Sequence, residues 1–331
     1  MNWRWKARLA KVIAAFPMSD AIYYRVQRCV GSLQPKRYDP SERLRAAAKM
    51  VHWAEELGYR IEGRSFLEVG TGRTLDIPLA LWLCGAARVL TVDLNTYLAE
   101  QLTLESVAVL CRRRAETAAI FGELADRPLF HERLDQLRQF DGRLADLMLM
   151  THIEYLAPTD AARLPLPDRS IDFHISFTVL EHIPADIIAS ILKEAGRVLT
   201  SDGLLLHIID PSDHFSHDDG SITAINFLQF SDREWTRLAG NKFMYHNRLR
   251  AYEYVELFKR VGVRLIGQRE AIDEQSLAAL RNGFGLDQRF CHIDHAQLAV
   301  RSIILMGKAE SPAGKKSPVT QSSSRRSALT Q

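Results

Sequence analysis

The residues best suited to chemistry fall into two groups. The first is Glu68-Val69-Gly70-Thr71-Gly72, followed 21 positions after Gly72 by Asp93 and much later by Asp160. A turn with two glycines brings backbone N–H groups close to a ligand. An acid closing the next strand accepts hydrogen bonds from both hydroxyls of a ribose. Asp160, at the end of a third strand, is placed to hold an adenine amino group. The dinucleotide fingerprint would need a third glycine where this chain has Leu75, which disfavours a nicotinamide-dependent dehydrogenase. The second group is Glu181-His182 together with the run from Asp210 to Asp219, which holds four carboxylates and two imidazoles. Imidazole titrates near neutral pH, so His182, His214 and His217 are the candidate catalytic groups, acting as general bases on an acceptor hydroxyl. For Glu181-His182 the competing reading is a structural pair that fixes its loop. The carboxylates of 210–219 are hard ligands that suit a divalent ion, but the sequence assigns no metal. Cys291-His292-Ile293-Asp294-His295 also looks like a ligand cluster; it precedes the last strand, away from the crevice, and reads as structural.

These residues need elements to hold them. Short apolar strands are predicted over 66–69, 88–92, 152–156, 171–177, 204–209, 264–269 and 297–306, with helices between most of them. The fold class is α/β: a Rossmann-like, doubly wound, seven-stranded sheet, mostly parallel with an antiparallel edge strand. A helical N-terminal extension covers 1–60. The main domain covers 61–308, with helical insertions at 95–150 and 211–247 that would cap the crevice, and a basic tail at 309–331 reads as disordered. Phe227, Phe230, Trp235, Phe243 and Tyr245 in the second insertion suit either a stacked sugar ring or the cap's own core.

These stretches resemble the class I S-adenosylmethionine-dependent methyltransferases of the type 11 kind. Leu67-Glu68-Val69-Gly70-Thr71-Gly72 resembles the family's first motif, Asp93 its second-strand acid and Asp160 its adenine-contacting acid. Residues 171–182 and 199–203 resemble its fourth-strand motif and its approach to strand five. The resemblance implies S-adenosylmethionine as cofactor, held by Glu68, Gly70, Thr71, Gly72, Asp93, Leu94, Asp160, Ala161, Phe177 and Thr178. Many members carry a small residue where this chain has the β-branched Thr74. The implied reaction is in-line methyl transfer, O-methylation before N-methylation, onto a small-molecule or saccharide-type acceptor. The alternatives are a non-catalytic module that binds the cofactor and, behind it, an NAD-dependent dehydrogenase.

Composition sets limits on partners. The chain has 331 residues, 47% of them hydrophobic, and a formal net charge of +3. That charge divides into +7 over residues 1–37, +4 over 308–331 and −8 over the body between them. An acidic body excludes a nucleic-acid groove on the folded face. Four dispersed cysteines give neither a zinc ribbon nor a disulfide framework, and Lys11 interrupts the one stretch that might be a signal peptide, so a cytoplasmic setting is expected. At helical spacing Trp5, Leu9, Val12, Ile13 and Phe16 form one apolar stripe flanked by Arg4, Arg8 and Lys11. The stripe either docks on the domain or makes peripheral membrane contact through residues 3–16.

Overall fold

The computed structural model describes residues 2–31, 33–35 and 37–310. Seven strands form one sheet: β1 (Ser65–Val69), β2 (Arg88–Val92), β3 (Ile153–Leu156), β4 (Ile171–Phe177), β5 (Leu199–Ile209), β6 (Val263–Ile272) and β7 (Val300–Ala309). Their order is β3-β2-β1-β4-β5-β7-β6. The first five run parallel. The antiparallel pairing lies at the far edge, where β7 enters between β5 and β6 and runs against both. The strand order reverses between β1 and β4, and in a doubly wound sheet the ligand crevice opens at that switch point.

Alternation along the strands builds two cores. Phe66, Val89, Phe173 and Ile175 point to one face and pack under the helices Ser41–Glu56, Asp76–Leu83 and Pro128–Gln139. Leu67, Val69, Leu90 and Val92 point to the other, against the helices Ala185–Val198 and Ala251–Arg260. Burial on both faces is why these strands read as continuous apolar runs. Helix Ala185–Val198 buries Ile188, Ile191, Leu192, Ala195 and Val198, a stripe at helical period. Strand β5 begins at Leu199, five residues before the expected start, because Leu199 pairs with Ile171 ahead of an irregularity. The expected final strand over 297–306 starts later: Asp294 caps a short helix, His295–Leu298, by accepting from the Ala296 N–H.

The segment 95–150 was expected over the crevice. Its four helices, Glu100–Arg112, Arg114–Phe121, Pro128–Gln139 and Leu144–Thr151, instead bury Val107, Phe121, Phe130 and Leu147 in the first core. Apolar stripes of that strength are driven onto the sheet's helical layer, so the segment acts mainly as a crossover.

A third core lies under the second insertion and joins Trp3, Ala7, Phe215, Phe227, Trp235 and Phe290. The first helix, Trp3–Ala14, docks there through Trp3, Ala7, Ala10 and Ile13. Trp3 lies 5.6 Å from Phe215 and 6.0 Å from Trp235 between ring centroids, and its N–H donates to Asp219 at 2.7 Å. Of the predicted stripe, only Ile13 is buried. Trp5 is 66% and Phe16 56% exposed, and Leu9 and Val12 also face outward. The expected basic tail, from residue 311 onward, falls outside the described residues; Ala309 ends β7.

Candidate active site

The carboxyl ends of β1, β2, β3 and β4 open into one cavity of about 630 Å³. Glu68, Gly70, Thr71, Gly72, Asp93, Leu94, Asp160, Ala161, Phe177 and Thr178 all line it. Their positions follow from local chemistry. Gly70 and Gly72 sit at φ +89° and +66°, where a Cβ is strained. A Cβ on Gly70 would stand 2.4 Å from Val179 Cγ2, so the turn can approach β4 only without a side chain. At Gly72 an added Cβ would meet no atom within 4 Å, which leaves its backbone open to a ligand. The Gly72 N–H donates to Asp93 Oδ2 at 3.0 Å and the Asn95 N–H to Asp93 Oδ1 at 3.0 Å. Both bonds fix the carboxylate and leave it lone pairs for a ribose.

Glu68 is buried beside the turn. Thr91 donates to it, and Thr71 and Thr91 share a hydrogen bond of 2.6 Å. Burial pushes the Glu68 carboxyl up to about 8, against the pull of the Thr91 hydrogen bond. Burial also raises Asp93 above the usual carboxylate range. Glu68, Asp93 and Asp160 place three carboxyl groups along one wall, and a bound cation would draw the buried Glu68 back toward its charged form. Thr74 is buried and tied down: it donates to Asp76 at 2.9 Å and accepts from Tyr38 at 3.2 Å, which locks the turn to the N-terminal extension.

Two chambers adjoin this cavity. One, of about 660 Å³, shares Arg43, Gly72, Thr74, Tyr97, His182 and Lys242 with it and is otherwise lined largely by the N-terminal extension, including Asp20, Tyr23, Arg37 and Tyr38. Phe243 stacks on Tyr23 there at 4.4 Å. The other, of about 570 Å³, shares Phe177 and Thr178 and contains Asp210, Ser212 and His217. Sequence reasoning missed Asn95, Tyr97, Arg43 and Lys242; no spacing signal singles them out. Among the insertion's aromatic residues, Phe227 and Trp235 belong to the third core and only Phe243 faces a chamber.

The three candidate histidines converge. His182 and His214 rings are 4.9 Å apart and His214 and His217 5.0 Å apart. His246, absent from the sequence-based candidates, joins them 4.7 Å from His214. Burial holds His246 well below the usual imidazole range, and desolvation by the packed loops with the neighbouring His214 lowers His182, which stays partly open to solvent. Burial drives Glu181 well above the usual carboxylate range. Burial would also raise Asp210, but the His214 and His217 imidazoles, each 3.4 Å from its Oδ2, outweigh it and hold the acid low. His217 is raised in return by Asp210. Cys291 is exposed and Asp294 serves as the helix cap, as a structural reading of that run expects.

Residues 131–207 match the methyltransferase domain family of the type 11 kind. No curated protein matches the chain. Among solved structures, a protein of Pyrococcus horikoshii OT3 is 13% identical, with a TM-score of 0.45 over 87% of this chain and 98% of its own. Magnesium protoporphyrin IX methyltransferase of Synechocystis PCC 6803, with bound S-adenosylhomocysteine, is 12% identical, with a TM-score of 0.42 over 81% and 83%. Geranyl diphosphate C-methyltransferase of Streptomyces coelicolor A3(2) is 12% identical, with a TM-score of 0.41 over 80% and 79%. The matched segment carries β3, Asp160, β4, Glu181-His182 and most of β5, so the methyltransferase-domain match takes in one wall of the cavity, and the glycine turn and Asp93 complete a site suited to S-adenosylmethionine.

Proposed function

We propose that this domain O-methylates a small-molecule or saccharide-type acceptor bound in the chamber beside the cofactor cavity. The observation that carries the reading is His182, which lines both spaces. When bound, S-adenosylmethionine supplies a methyl group made electrophilic by its sulfonium, held by the ten residues from Glu68 to Thr178 named above. The chain's own part is to hold the acceptor oxygen in line, exclude water and take up the one proton that oxygen loses. His182 lines the acceptor chamber, with His214 4.9 Å from it and His217 5.0 Å from His214, and these are the groups for that task. The chamber's mixed lining of Asp20, Tyr23, Arg37 and Tyr38 suits a ligand with several hydroxyls or an anionic group, and the stacked Tyr23–Phe243 pair supplies an apolar face. Labelled methyl transfer into fractionated extract tests the reading. Label in the glycan or small-molecule pool is expected; label confined to protein or nucleic acid would refute the acceptor class.

Residues 3–16 are the membrane-contact element of the same proposal, with the body in the cytoplasm. Among the described residues no helix is long and apolar enough to cross a membrane. Trp5, Leu9, Val12 and Phe16 are exposed, and Met18, Ile22, Val26 and Val30 continue the apolar surface along the next helix, Ser19–Val30. With a charge of +7 over residues 1–37, this surface suits an anionic bilayer. Sedimentation with phosphatidylserine vesicles should carry the protein down, and the triple variant Trp5→Ser, Leu9→Ser, Phe16→Ser should leave at least about tenfold more of it free. Equal sedimentation of the two would sink this element.

A further inference from the structure

Beyond the cofactor contacts, buried polar atoms without partners concentrate in one group of side chains. Glu181 sits in the turn Leu180–His182, its side chain has no exposed area, and neither oxygen completes a hydrogen bond. His246 is buried with both ring nitrogens unpartnered. His214, in the turn His214–His217 after β5, presents a buried and unpartnered Nε2, 3.9 Å from Glu181 Oε1 and 3.4 Å from Asp210 Oδ2. One donor atom from each of Glu181, His182 and His214 lies within 4.8 Å of the others.

His182 is already oriented. Its Nδ1 is 2.9 Å from the Tyr245 carbonyl oxygen, which can only accept, so Nδ1 carries the hydrogen and Nε2 keeps its lone pair. A backbone carbonyl fixing the distal nitrogen is how ligating histidines are held. A purely structural role for the Glu181 side chain fails on the contacts around it. The turn is pinned by Asn247, whose N–H donates to the Glu181 carbonyl at 2.9 Å and whose side chain donates to the Leu180 and Ile183 carbonyls at 2.8 Å each. The carboxylate itself takes no part, and a buried, unpartnered carboxylate is costly. A protonated Glu181 would still leave its O–H and the His246 nitrogens without partners. A cation answers the Glu181 carboxylate and the His214 Nε2 together.

We infer that Glu181, His182 and His214 form a binding site for one divalent transition-metal ion, with Asp210 and His246 at its margin. One carboxylate and two imidazoles suit Zn²⁺, Fe²⁺ or Mn²⁺ and leave open positions, whereas Mg²⁺ and Ca²⁺ favour oxygen ligands. Bonds of about 2.0–2.2 Å place neighbouring donors about 3–4 Å apart, a spacing that the Glu181–His214 pair already has. Because His182 lines the acceptor chamber, an open position would take the acceptor's hydroxyl oxygen and raise its acidity, and of the three candidate histidines the unligated His217 would then take up the proton. That use rests on the proposed methyl transfer; the site does not.

The test uses the full chain, stripped by a chelator and titrated with Co²⁺, read by its visible absorption, with Zn²⁺ as competitor. The wild type should bind one equivalent. Glu181→Gln and His214→Ala should each weaken binding at least roughly 100-fold while circular dichroism and calorimetric binding of S-adenosylhomocysteine persist. If either variant fails to fold, the other carries the comparison. A wild type that binds no Co²⁺, or folded variants that bind it as tightly, would overturn the site. Loss of S-adenosylhomocysteine binding with the Co²⁺ spectrum intact would instead strike the cofactor reading and leave the ion site standing.

Discussion

Two clusters of imidazoles in this chain have opposite surroundings, one wholly buried and the other only partly. His174 on β4 and His207 on β5 lie inside the sheet, 3.4 Å apart between Nδ1 and Nε2, with Ser176 bonded to His207 Nδ1 at 2.8 Å and Phe258 edge-on to it. They answer one another, and a single nitrogen, His174 Nε2, is left without a partner. The cluster of His182, His214, His217 and His246 instead faces Glu181 and Asp210, borders two chambers and leaves several polar atoms unanswered. Burial lowers His174, His207, His182 and His246 alike. Depressed basicity therefore does not mark function here. The facing acids and the unmet hydrogen bonds do.

The largest effect should come from breaking the open cluster. Glu181→Gln and His214→Ala should lower turnover at least about 100-fold with little change in KM for the cofactor, because the loss falls on handling the acceptor. Replacing the closed cluster's His207 by Leu should leave turnover within about twofold, since no cavity reaches it. Equal losses in both clusters, measured once an acceptor is known, would erase the distinction.

Next in size is the cofactor wall. Asp93→Ala removes a carboxylate held by the Gly72 and Asn95 N–H groups and should weaken S-adenosylhomocysteine about 30-fold, roughly 2 kcal/mol, by calorimetry. Co²⁺ binding should be unchanged in that variant. A parallel loss of both ligands would mean that the two sites are one mechanical unit, and the comparison would need redrawing.

The contrast also explains what could be read from the sequence. Gly70, Thr71, Gly72, Asp93 and Asp160 sit at strand ends, and in a doubly wound sheet a strand end already fixes a residue's place at the crevice. Local pattern therefore carried the cavity. It could not carry the surroundings of Glu181, because His214 arrives from the start of the second insertion and His246 from its end. The first helix shows the same limit. Its period told which residues share a face, but the covered face was decided by Phe215 and Trp235, more than 200 positions away, which take Trp3 and leave Trp5 and Phe16 outside. Buried cations were equally hidden: Arg248 donates to the Phe227 and Phe230 carbonyls and to Asp232, which makes it internal scaffolding.

The smallest expected effect reads the closed cluster directly. Burial holds His174 at about 4, below its ordinary value of 6.5, so the native chain keeps it neutral while the unfolded chain takes up a proton. The native state therefore binds fewer protons between those values, and stability rises with pH there. His174's contribution is fully present above about 6.5 and is lost as pH falls toward about 4, by up to about 1.4 kcal/mol per pH unit, or tenfold in the folding constant. His207, held lower still, adds a slope of the same sign. His174→Leu removes one titrating group, so the stability gap between wild type and variant should narrow by that amount for each unit of acidification. Urea midpoints at pH 7.5, 6.0 and 4.5 measure it. Parallel curves would mean that His174 takes up its proton as readily in the native sheet as in the unfolded chain, and the effect assigned to its burial would fall.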